Sequence, residues 1–144
     1  GATNFSTTYF GKDAKTTFRK LQEDARYYDG NDGYSGTIAE KDSFVVVELP
    51  GKTNPEKAEN WICLADYVVN CMPECRKDAE KTFKRNCPPK YRSWAMSHAR
   101  KYGSKYGPAI CFRWSTTAGR RWKKDNRFSG CKGNVYTFCG TAAC

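Results

Sequence analysis

Histidine is the residue this chain most nearly lacks: His98 is the only one. A two-histidine ribonuclease mechanism is therefore excluded. Any acid–base pair would have to join His98 to a distant carboxylate such as Glu40 or Glu48. No local pattern brings them together, so a non-enzymatic protein is expected. Paired cysteine motifs are missing too. Cys71, Cys75, Cys87 and His98 are separated by three, eleven and ten residues, whereas zinc sites usually present two close pairs. No metal and no cofactor are expected. No run of 18 apolar residues occurs, so no membrane helix is expected. The opening "GATNFSTTYF" has neither a basic nor an apolar leader region, and no secretory leader is expected. There is no internal repeat and no dividing linker, so residues 1–144 read as a single domain.

Acidic residues run short in one half only. Residues 1–72 hold eight Lys/Arg and eleven Asp/Glu, while residues 73–144 hold 17 Lys/Arg and four Asp/Glu. The net charge of +10 is therefore concentrated in the second half. That asymmetry points to a polyanionic partner: nucleic acid, a nucleoprotein complex or an acidic protein surface.

What is present supports a real core, with 39% apolar and 15% aromatic residues. Of the eight cysteines, Cys63 falls in a helical pattern and Cys111 and Cys139 fall in strand-like runs. They read as small buried hydrophobes, which points to a reducing, cytoplasmic setting.

Asp13 is a candidate N-cap for a helix through Phe18, Leu21 and Tyr28, and Gly30 fits its end. "GTIAE" (36–40) and "SFVVVEL" (43–49) read as two strands of a hairpin turning at Lys41-Asp42. Asn54-Pro55-Glu56 opens a second helix. Pro73 begins a third, through about Arg85, and Tyr91–Tyr102 a fourth segment. "AICFRW" (109–114) and "NVYTFCGTA" (134–142) are the last strands, joined by a long linker, 115–133. The expected fold is α+β in the order α-β-β-α-α-α-β-β. It has a roughly four-stranded antiparallel sheet and helices on one face.

Two stretches compete as a functional site. The first is "YYDGNDGYSGTIAEK" (27–41), whose ligand-facing candidates are Asp29, Asp32, Tyr34, Ser35, Thr37, Glu40 and Lys41. A phosphate loop needs a strand feeding a glycine turn that opens a helix. Here a helix ends instead, and two aspartates would repel phosphate. A calcium loop fails on register, because Tyr34 stands where glycine is required. A structural turn is favoured, with a nucleotide or second-messenger sponge, or a weak hydrolase, as the alternative.

The second is "GRRWKKDNRFSGCKG" (119–133), with Arg120, Arg121, Lys123, Lys124, Arg127 and Lys132 against Asp125. Trp122 and Phe128 interleave the charge, as aromatics do where they stack on unpaired bases. A supporting set is Arg76, Lys77, Lys81, Lys84, Arg85, Lys90 and Arg92. The expectation is a nucleic-acid-binding protein that uses this basic half.

"GYSGTIAEK" (33–41), Gly107-Pro108-Ala109 and Phe138-Cys139-Gly140-Thr141-Ala142 resemble three anchors of a family of small phage and mobile-element proteins. This chain departs from them in its long basic insertions at 73–106 and 115–133. The resemblance implies a shared scaffold and a phage-like setting, in which an inhibitor of host machinery in an infected cell is a natural class. It implies no mechanism.

Overall fold

A computed structural model describes all 144 residues. The fold is α+β, with five helices and one four-stranded sheet. In chain order the elements are β1 (Ala2–Gly11), α1 (Ala14–Asp29), a single 3-10 turn (Ile38–Glu40), β2 (Phe44–Val46), α2 (Pro55–Asn70), α3 (Pro73–Asn86), α4 (Pro89–Tyr102), β3 (Ala109–Arg113), α5 (Thr116–Asp125) and β4 (Asn134–Ala143).

The helix starts follow the capping chemistry. The Asp13 carboxylate accepts from Thr16 N at 2.7 Å, and Asn54 Oδ1 from Lys57 N at 2.9 Å. Both satisfy amides that the first turn cannot pair internally. Proline occupies the first position of α2, α3 and α4, where its missing N–H costs nothing.

The sheet order is β1-β4-β3-β2. β1 and β3 flank β4 antiparallel, but β2 pairs with β3 in parallel. The expected all-antiparallel sheet is thus corrected to a mixed one. The 36–43 hairpin does not form, because "GTIAE" is not a strand. Gly36 sits at φ 73°, and a Cβ there would lie 2.6 Å from Thr3 Cγ2. Its N–H is held by Ala143 O at 2.8 Å, and Thr37 then caps the 3-10 turn. "SFVVVEL" shrinks to three paired residues, reaching β3 after the chain has crossed the sheet. The unforeseen strand is β1, a β-rich run of Thr, Phe and Tyr whose first residues face solvent and so show no apolar alternation.

Helices on one face are corrected to helices on both. Phe18 and Leu21 of α1 cover Cys111, Tyr136 and Phe138. On the opposite face, Ala58, Trp61, Ile62 and Ala65 of α2, Phe83 of α3 and Ala95 and Ala99 of α4 pack on Ile110, Phe112 and Cys139. α5 lies on that same face, since Gly119 abuts Val135, whose strand parity is that of Cys139. β3 and β4 are buried from both sides, which accounts for their near-continuous apolar runs. All eight cysteines are free thiols. Burial pushes the Cys111 thiol up to about 12 and that of Cys139 higher still, so both act as packing groups.

Candidate nucleic-acid interface

The 29–41 segment spends its polar groups on itself. Ser35 donates to Glu40 Oε2 from both its N–H (3.1 Å) and its hydroxyl (2.7 Å), and its Oγ lies 2.8 Å from Thr37 Oγ1. The Ser35 hydrogen bond holds the Glu40 carboxyl below its ordinary pKa. Lys41 turns inward to 2% exposure, with Nζ 3.3, 3.3 and 3.0 Å from the carbonyls of Ser104, Lys105 and Gly107. Burial lowers its pKa. Four of the seven candidate ligand residues are thus structural ties. Asp29, Asp32 and Tyr34 stay exposed.

The 115–133 linker is not a bare loop. Ser115 caps α5 by accepting from Ala118 N at 3.1 Å, and the helix carries the basic run. Trp122 and Phe128 do not stand out as base-stacking platforms. They stack on each other at 5.9 Å, and Phe128 meets Tyr9 and Phe10. This aromatic cluster seals the end of the sheet and aims the helix. Lys123 is partly committed as well, donating to Cys131 O (2.8 Å) and Gly133 O (2.6 Å). Arg120, Arg121, Lys124, Arg127 and Lys132 remain exposed.

α3 presents Arg76, Lys77, Lys81, Lys84 and Arg85 to solvent. Arg92 does not join them. Its guanidinium donates to Cys87 O (2.9 Å) and Lys84 O (2.8 Å), closing the carbonyl end of α3. α3 packs on α2 while α5 packs on β4. The two basic sets therefore share one side of the sheet without forming one helix surface. The single salt bridge of the molecule is Lys20–Asp24 on α1. No Lys or Arg of residues 73–144 is paired with a carboxylate.

His98 is held within its own helix. Its Nδ1 lies 2.8 Å from Trp94 O, and its ring packs 4.5 Å from Trp94. Cys71, Cys75, Cys87 and His98 do not converge, and no other group of three metal-type side chains does.

A cleft of about 230 Å³ between α2 and the β1–β4 pair escaped the sequence reading. Phe5, Ile62, Tyr102 and Ile110 wall it, and Glu59, Cys63 and Asp66 project from α2. Burial raises the carboxyl pKa of Glu59 and of Asp66, opposed by a hydrogen bond from Ser6 on Glu59 and from Thr141 and Asn70 on Asp66. The available signal was their spacing along one face of α2.

No family model matches the chain, and no curated protein or solved structure is significantly similar to it.

Proposed function

We propose that this is a non-enzymatic binding protein whose basic helices, α5 first and α3 second, engage nucleic acid or a nucleoprotein complex. What carries the reading is that none of the second half's cations has a carboxylate partner. Such a surface gains most from an anion that releases its own condensed counterions. The shape fits backbone contact rather than base stacking, because Trp122 and Phe128 are engaged with each other. A phage-borne inhibitor acting in the host cytoplasm is the setting we favour.

The test is fluorescence anisotropy with short duplex and single-stranded probes over a salt series. A log–log slope near −4 supports about four phosphate contacts on duplex, at roughly −0.9 per contact. A flat salt response, or no binding at about 50 mM salt, rejects the reading.

A second reading, a small-ligand sponge, rests on the α2 cleft rather than on the 29–41 loop. Apolar walls around a few convergent polar groups are what small-molecule sites share. Thermal stabilisation by a mononucleotide, without any binding of oligonucleotide, would favour it.

A further inference from the structure

Beside the start of α5 lies a second concavity, of about 200 Å³. Its lining includes Ser115, Thr116, Arg120, Lys123 and Asn134, with Gly119 and Val135 also contributing. No acidic residue lines it. We propose that this concavity is a phosphate-binding subsite that seats one phosphate group of the bound polyanion. The proposal rests on the nucleic-acid reading above and assigns that reading a specific anchor.

Two cations line the space, Arg120 and Lys123. Lys123 Nζ is pinned by the carbonyls of Cys131 and Gly133. That leaves one of its three protons for another acceptor. Arg120 lines the space from the first half of α5 and is otherwise exposed. Neither has a carboxylate partner.

The Thr116 hydroxyl and the unpaired first-turn amides of α5 add donors at the rim. Space is available because residue 119 has no side chain: a Cβ there would come within 3.3 Å of Val135. The volume corresponds to roughly six or seven waters. That admits a phosphate with part of its hydration. The pinned Lys123 suits a seated group better than a mobile surface lysine does, because less side-chain entropy is lost on binding.

The experiment is an amide-resolved NMR titration of the intact chain. Inorganic phosphate and pyrophosphate are the probes, with chloride at matched ionic strength as the control. Perturbations should cluster on Ser115–Arg120 and Asn134. Arg120→Ala should weaken pyrophosphate binding at least tenfold, and Arg120→Lys should restore part of it. Arg121→Ala, one position round the helix, should leave pyrophosphate affinity within about twofold. With duplex DNA, Arg120→Ala should reduce the salt slope by about 0.9.

Shifts spread evenly over α3 and α5, or equal losses from Arg120→Ala and Arg121→Ala, overturn the subsite. The two failures separate cleanly. If pyrophosphate seats here but no nucleic acid binds, the subsite stands and the polyanion reading falls. If nucleic acid binds but pyrophosphate does not localise, the subsite falls alone.

Discussion

The glycine-rich segment 29–41 and the basic segment 115–133 are both dense in polar residues, yet they treat those residues in opposite ways. In the first, Ser35, Thr37, Glu40 and Lys41 find partners inside the molecule. In the second, Lys123 is the one cation that is tied, while Arg120, Arg121, Lys124, Arg127 and Lys132 point outward without a counter-charge. Residue types alone do not separate the two. What separates them is where the hydrogen bonds terminate: a satisfied polar group has little left to offer a ligand, and an unsatisfied exposed cation has all of it.

The sharpest break of that contrast is to neutralise the open segment. Replacing Arg120, Arg121, Lys124 and Arg127 with Ala should weaken duplex binding several hundred-fold at about 50 mM salt and remove most of the salt slope. Replacing Asp29, Asp32 and Tyr34 with Ala should leave affinity within about threefold, read in the same anisotropy assay. Equal losses from the two sets would end the distinction.

Stability should show the reverse ranking. Gly36→Ala forces a Cβ into Thr3 at a positive φ. It should cost about 2–3 kcal/mol, visible as a melting temperature lower by roughly 6–10 °C. Gly130→Ala, at φ 82° but with open space around it, should cost about 1 kcal/mol. A Gly36→Ala protein that melts like the parent would show that the loop is not tied down by its approach to β1.

Trp122→Ala tests the aromatic cluster. Loss of the stack on Phe128 should lower stability by about 2 kcal/mol, below the cost for a fully buried aromatic because Trp122 is half-buried. Single- and double-stranded binding should fall together, with the salt slope unchanged. Selective loss of single-strand binding would return Trp122 to the role of a base-stacking platform.

Much of the helical frame was readable in the residues. Asp13, Asn54, Pro55 and Pro73 name their helix starts because capping is local chemistry, whereas Pro89 reads only as a break although it opens α4. The sheet was not readable in the same way. Nothing near Phe44 says that its partner is Ala109, in parallel, some 65 residues on. β1 escaped because an edge strand does not need apolar alternation along its whole length. α5 escaped because Thr116, Thr117 and Gly119 are weak helix formers. Its stability comes from the Ser115 cap and from packing on β4. The basic segment was visible as composition. The inward use of Trp122, Phe128 and Lys123 was not, because it depends on β1, which is more than 100 residues away.

The smallest expected effect is a pair of pH responses with opposite signs, comparing a carboxylate dominated by its hydrogen bonds with two dominated by burial. Glu40 in the glycine segment has its folded-state pKa depressed by the Ser35 hydrogen bond. Its contribution is therefore present above the unfolded pKa of about 4.3 and is lost as pH falls through the lower folded value. Glu59 and Asp66 in the α2 cleft have folded-state pKa values raised by burial. Their folded state binds protons more readily, so stability is fullest below the unfolded values and declines as pH rises through the folded ones. At pH 7, Glu40→Gln should lower the melting temperature by a few degrees and Glu59→Gln should raise it slightly. The Glu59 difference should shrink by about pH 3, where that carboxyl is protonated in the folded and unfolded chains alike, and the Glu40 difference should shrink as pH falls through its lowered folded value. Melting curves at half-unit pH steps will show whether the two differences have opposite signs. If both substitutions shift the melting temperature in the same direction at pH 7, the Ser6 hydrogen bond to Glu59 outweighs the cost of burying its charge, and the cleft is as self-satisfied as the glycine segment.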